Sequence, residues 1–216
     1  MEAVKNILVG FIVSFIGSIP LGYLNIIGFE MYAEFGINSL IYYLLGVISI
    51  EVFVIYFTLI FANKLVTNIK LMKIIDIAAI FFLLFLAYSF YAHVNKTASG
   101  HNYLARYRDY SPFLIGIILN SLNFLQIPFW TGWNLYLINE KHITIQRTGK
   151  YFYIFGTVMG IFLGMFSLVL ILESVVKNTG SFSKYIVPVF IPVFFTAMAL
   201  FQIYKVYKKY FAAKNP

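Results

Sequence analysis

The sequence predicts an all-α membrane protein of six transmembrane helices arranged as two inverted three-helix repeats, and three observations carry that expectation. Of its 216 residues, 61% are hydrophobic and 11% charged, with a mean hydropathy of +0.85. A soluble domain of this size has too little interior to hide that much apolar surface, so lipid must serve as solvent. Six windows reach the ~20 mostly apolar residues that a bilayer-spanning helix needs. The two halves of the chain also read alike.

The windows are Ile7–Phe29, Ile37–Ala62, Leu71–Ala92, Pro112–Ile138, Tyr151–Leu172 and Tyr185–Tyr207. Roughly a dozen polar residues or fewer link them, apart from the loop His93–Ser111, so no soluble domain fits between spans and residues 1–216 form one membrane domain. The first window contains "SIPLGYLN" (18–25), where Pro20 removes an N–H and clashes with the turn before it. On a helix, Ser14, Ser18, Gly22 and Asn25 form one polar stripe beside that break. The second window holds Glu51, a lone carboxylate near the middle of a span. In the third, Asp76 follows Lys70 and Lys73 at helical spacing, which predicts a local ion pair.

The fourth window, with "QIPFWTGWN" (126–134), repeats the pattern of the first. Pro128 interrupts it; Asn120, Asn123, Thr131 and Asn134 share a face, with Gln126 alongside, and Trp130 and Trp133 flank the interruption. The fifth carries Gly156, Gly160 and Gly164, a small-residue face for close helix packing. The sixth, "IVPVFIPVFFTAMA" (186–199), lies over "IIDIAAIFFLLFLA" (74–87), just as "YYLLG" (42–46) lies over "FYIFG" (152–156). The offset drifts only from 108 to 112 residues. Each repeat, about 7–92 and 112–207, holds three spans, an odd number, so the second must sit upside down relative to the first. Inverted repeats are common in secondary transporters, and matched interruptions of two spans are the best sequence pointer to their binding site. The plainer account is that such kinks and polar groups only bond neighbouring helices.

Charge placement gives an orientation. With the N-terminus cytoplasmic, the inner side holds Lys5, Lys64, Lys70, Lys73, Lys141, Arg147, Lys150, Lys205, Lys208, Lys209 and Lys214, against Lys96, Arg106, Arg108, Lys177 and Lys184 outside. Eleven cations against five put both termini in the cytoplasm. The net charge of +8 therefore reads as a topology signal directed at lipid headgroups rather than at nucleic acid. No cysteine is present, which excludes disulfides and thiolate metal sites. The first apolar run is longer than a cleavable signal peptide and lacks its cleavage pattern, so it is expected to be retained.

The sequence assigns no catalytic residue, metal or cofactor. His93, His101 and His142 lie at span ends or in loops, without ligand spacing to another His or carboxylate. No phosphate-binding loop, dinucleotide-binding glycine pattern or nucleophile elbow occurs. Glu51 suits either proton carriage or anchoring of a substrate ammonium; the structural alternative is a neutral carboxyl bonding a neighbouring helix.

With these residues in view, the chain resembles the lysine exporter (LysE/RhtB) family of bacterial amino-acid efflux proteins over nearly its whole length. Members of the family read P-G-P-N in the first span; this chain keeps Pro20, Gly22 and Asn25 in "PLGYLN" but lacks the second proline. In the fourth span, where the family carries Asn-Pro, "NFLQIP" supplies Asn123 and Pro128 further apart. The resemblance implies a divergent member that exports an amino acid or similar small metabolite across the bacterial inner membrane, coupled to the proton gradient. The substrate is then expected among Pro20, Gly22, Asn25, Asn120, Asn123, Gln126, Pro128, Thr131 and Asn134, with Glu51 coupling protons. A non-transporting scaffold is the alternative, and an intramembrane enzyme a weaker one, since Glu51 has no convergent nucleophile or base. A monomer and a homodimer both agree with the sequence.

Overall fold

In the computed structural model, residues 2–19, 22–97, 110–179 and 191–211 are described, and every element among them is a helix. In chain order these are α1 (Glu2–Ser18), α2 (Tyr23–Thr67), α3 (Ile69–Thr97), α4 (Pro112–Ser121), α5 (Gln126–Asn139), α6 (Gly149–Thr179) and α7 (Ile191–Tyr210). His101 and the start of the sixth sequence window, residues 185–190, lie outside the described residues.

The 45 residues of α2 are two helical arms folded at Gly36. In a continuous helix, residues 24 and 43 would stand about 28 Å apart. Yet the Tyr43 hydroxyl donates to the Leu24 carbonyl at 3.0 Å, and the Tyr43 ring lies against Gly28. Gly36 makes the fold-back with φ +80° and ψ −177°, a conformation that a side chain would strain. We refer to the arms as residues 23–35 and 37–67.

Among the described residues, two helices are long and apolar enough to cross a membrane, within Tyr23–Ala62 and Gly149–Val175. Because α2 folds back, its second arm supplies that length in the first of these. The pair α4 and α5, bent by 73° at the break between them, qualifies as a third. Large apolar side chains also lie open on the outer faces, among them Phe81, Phe85 and Tyr88 of α3 and Leu200, Phe201, Tyr204 and Tyr207 of α7. Bands of that kind are expected against lipid rather than water.

The packing crosses between the two halves of the chain. Helix α1 packs chiefly on α6, α4 on α2, and α3 on α7, while α2 and α6 meet at the centre. The core there includes Leu40, Tyr43, Leu44, Val47, Tyr153 and Val169, all fully buried. Backbones approach closely at glycine: a Cβ on Gly156 would collide with the Ile7 carbonyl, and one on Gly160 with the Phe11 carbonyl and Ser14 Oγ. The glycine face expected on the fifth span is thus where α1 lies. Ser14 and Ser18 serve this contact and bond carbonyls of their own helix, Gly10 and Phe15, so the polar stripe of the first span does not continue as one site.

Asp76 departs from expectation. Its buried carboxylate pairs across to Lys209 of α7 at 2.9 Å and accepts from Tyr210 (2.7 Å) and Gln202 (3.2 Å), rather than pairing with Lys70 or Lys73 on its own helix. Lys70 is exposed, while Lys73 reaches the Phe211 ring at 4.2 Å. Close packing of α3 on α7 places the carboxylate in that interface, turned from its own helix's cations.

Candidate functional site

The junction between α1, ending at Ser18, and α2, starting at Tyr23, lies against the junction between α4, ending at Ser121, and α5, starting at Gln126. The Tyr23 hydroxyl, at the start of α2, donates to the Leu119 carbonyl near the end of α4 at 2.7 Å. Phe82 of α3 meets Tyr23 edge-on on one side and Phe124 on the other. The last carbonyls of a helix have no intrahelical partner and need one from elsewhere. At each break a side-chain amide of the following helix supplies it: Asn25 Nδ2 donates to Ser18 O at 2.9 Å, and Gln126 Nε2 to Asn120 O at 2.9 Å.

Pro128 plays a different part from the one expected. Pro128 is the third residue of α5, within its first turn, so the break at 122–125 precedes it. A first-turn N–H has no partner in any helix, which is why proline is tolerated there. Pro20 lies outside the described residues; Gly22 beside it caps α2 in an extended conformation (φ −88°, ψ 163°).

Glu51, on the second arm of α2, is buried next to the α4–α5 break with 7% of its surface exposed. Trp130 Nε1 donates to its Oε2 at 3.0 Å, and the Asn120 side chain is a further partner. Asn120 Nδ2 also donates to Val47 O at 2.8 Å. A carbonyl oxygen can only accept, so the orientation of the Asn120 and Gln126 amides follows from chemistry. Their oxygens, Asn120 Oδ1 and Gln126 Oε1, are buried without a partner, as is Thr131 Oγ1. A buried unpartnered polar atom costs about 1–3 kcal/mol. The two amide oxygens can only accept, so they favour an occupant rich in hydrogen-bond donors.

The other expected residues divide. Asn123 sits half-buried in the second break itself. Asn134 belongs to a closed network: its Nδ2 donates to Thr58 Oγ1 at 3.0 Å, and its Oδ1 accepts from the Tyr153 hydroxyl at 2.8 Å. With both amide atoms engaged, it holds α5 between α2 and α6. Trp133 turns outward, where with Phe129, Gly132 and Tyr136 it lines an apolar groove of about 390 Å³ on the exposed face of α5. That groove contains none of the buried polar groups, so the chemistry of interest lies on the opposite face.

Trp130 as the donor to Glu51 and Tyr23 as the bridge between breaks were not assigned from the sequence. The signal available was the need of any buried carboxyl for a donor, and Trp130 was one of several within reach. Asn6 was also unmarked: fully buried, it donates to Thr144 O (2.7 Å) and Gly149 O (2.8 Å) and accepts from Thr144 N (3.1 Å), clamping the α5–α6 turn to α1. Among the described residues no group of acidic or histidine side chains is placed to hold a metal. Comparison with protein-family profiles, with curated proteins and with solved structures returns no match.

Proposed function

We propose that this chain is a secondary-active exporter of an amino acid or similar small metabolite, driven by the proton gradient across the bacterial inner membrane. The observation that carries the reading is a buried carboxyl, Glu51, beside unpartnered acceptors on Asn120, Gln126 and Thr131 where two helix breaks meet. Irregular backbone at membrane depth is tolerated where protein covers it or a cavity needs it, and transporters bind substrate at such places.

In this reading the six spans form two inverted repeats with both termini cytoplasmic. Paired contacts support it. A Cβ on Gly10 would collide with Tyr153 O, and one on Gly116 with Tyr43 O. A Cβ on Gly156 would collide with Ile7 O, and one on Gly46 with Phe113 O. Counterparts stand 106 residues apart in the broken spans and 110 in the long ones, a reciprocity that agrees with a two-fold relation between the repeats. The cation asymmetry supplies the orientation. The resemblance to the lysine exporter family, carried by Pro20, Gly22, Asn25, Asn123 and Pro128, agrees with the same activity.

Export then proceeds by rocking the halves about the breaks. Glu51 takes a proton when open to the outside and releases it when open to the cytoplasm, while the substrate ammonium is held by the orphaned oxygens and leaves outward. The test is efflux from proteoliposomes loaded with an equimolar mixture of the twenty protein amino acids, read by mass spectrometry, with and without a pH gradient. The expected result is gradient-stimulated efflux of a subset, lost in Glu51→Gln protein of normal melting behaviour. Gradient-driven efflux by Glu51→Gln at the wild-type rate and pH dependence would end the coupling role. No efflux by wild type of any amino acid would overturn the amino-acid exporter reading.

A further inference from the structure

The buried side chains around Glu51 are unevenly matched, with their donors engaged and their acceptors open. Val47 and Glu51 stand one turn apart on the second arm of α2, so they share a face. Asn120 reaches that face, its Nδ2 donating to Val47 O at 2.8 Å. Gln126 follows, its Nε2 donating to Asn120 O at 2.9 Å, while Trp130 Nε1 donates to Glu51 Oε2 at 3.0 Å. Each of these buried nitrogens is thus already donating. The atoms left over are acceptors: Asn120 Oδ1 and Gln126 Oε1 have no partner, on residues only 0% and 7% exposed. The Thr131 hydroxyl, likewise unpartnered, is able to accept as well as to donate.

The backbone of α5 adds no donor. A helix start ordinarily presents free N–H groups and attracts anions. At the start of α5, however, Gln126 N bonds Asn123 O, Ile127 N bonds Phe124 O and Phe129 N bonds Leu125 O, each at 3.3 Å, and Pro128 has no N–H. Cations are lacking in the same stretches. The sequence holds no Lys, Arg or His between Lys5 and Lys64 or between Arg108 and Lys141, and those two stretches supply Val47, Glu51, Asn120, Gln126, Trp130 and Thr131. A carboxylate brought here would lose its water beside another carboxyl, without a counter-charge. An ammonium instead brings three donors to the Glu51 carboxyl and the two amide oxygens. Protein closes over these oxygens in the conformation described, and the rocking of the halves is what opens them.

We propose that the site recognises its cargo by the amine alone, so that small primary amines lacking a carboxylate are carried at least as fast as the amino acids they correspond to. This rests on the exporter reading and names the part of the cargo that the site holds. With Glu51 ionised, the ammonium meets an opposite charge in a water-poor setting. Protonation of Glu51 removes that attraction and releases the amine.

The test uses proteoliposomes loaded with the same amino-acid mixture plus the amines that correspond to its members by loss of the carboxylate. Exchange against an isotope-labelled copy of the mixture outside is read by mass spectrometry, at an equal pH of about 6.5 where the amines stay protonated. Leak from protein-free vesicles is subtracted. At least one amine should exchange as fast as its parent amino acid or faster. In Gln126→Met of normal melting behaviour, the half-saturating concentration of that amine should rise about fivefold or more. Amino acids that exchange faster than all their amines overturn the proposal and leave the exporter reading standing, since a carboxylate is then held, as the first N–H groups of α2 could do. A half-saturating concentration unchanged in Gln126→Met also overturns it, and should that variant not fold, the wild-type comparison decides alone. No exchange of any component by wild type overturns both the proposal and the exporter reading.

Discussion

Replacing Trp130 by phenylalanine isolates the one indole donor that reaches Glu51. The indole is 4% exposed and the carboxyl 7%, so water does not replace the lost 3.0 Å bond. Side-chain hydrogen bonds inside membrane proteins contribute about 0.6 kcal/mol on average and up to about 1.7. The smaller ring also leaves a void of roughly 40 Å³, which at about 24 cal/mol per Å³ adds about 1 kcal/mol. Trp130→Phe should therefore destabilise by about 2–3 kcal/mol, a drop of roughly 5–10 °C in a chain of this length. Thermal unfolding in detergent reads it. A double-mutant cycle with Glu51→Leu separates the two parts, because the void is common to both backgrounds while leucine, unlike glutamate, cannot accept the indole N–H. A coupling of about 1 kcal/mol is expected. Additivity within about 0.3 kcal/mol, or a Trp130→Phe protein as stable as wild type, refutes the assignment of Trp130 as the partner of Glu51.

Three further outcomes follow from the packing and the orientation. Gly116→Ala drives a Cβ into the Tyr43 carbonyl and should destabilise by about 1–3 kcal/mol. Gly132→Ala meets nothing within 4 Å and should be neutral or stabilising by up to about 1 kcal/mol; equal melting of the two variants would discredit the close-approach account. Asp76→Ala strands the donors of Gln202 and Tyr210 and should lower the melting temperature clearly. Lys209→Ala, removing a half-exposed cation, should cost less than about 1 kcal/mol, and the reverse order would show the ion pair to dominate that corner. In a chain with no native cysteine, Asn68→Cys in intact cells should resist an impermeant maleimide, and outside labelling would invert the proposed topology.

Much of the candidate site was legible because polar residues inside apolar runs are few. Glu51, Asn120, Gln126 and Thr131 stood out for that reason, and all four are buried near one break or its following helix. Their roles were not legible. Asn120 and Asn134 look alike in the sequence, yet one keeps an orphaned oxygen while the other is closed by Thr58 and Tyr153. Which side-chain atoms remain free depends on helices some 70 residues away, and periodicity carries no such information. The same holds for Asp76, whose local cations were the obvious partners until α7 brought Lys209 and Tyr210 to it.

Composition and hydropathy by themselves determined that this chain is helical and belongs in lipid, because no arrangement of so apolar a chain satisfies water. They also marked the neighbourhoods where α1 gives way to α2 and α4 to α5, since glycine and proline act through local backbone chemistry that needs no neighbour. Even there the break fell at 122–125, ahead of Pro128, because a first-turn proline starts a helix as readily as it ends one. Only the tertiary structure decided that Tyr23 bonds Leu119, that α2 folds back at Gly36 so that Tyr43 reaches Leu24, and that Trp130 faces inward while Trp133 faces out. These are relations between segments far apart in the chain, set by which backbones can approach at glycine and by which buried donors and acceptors must find each other.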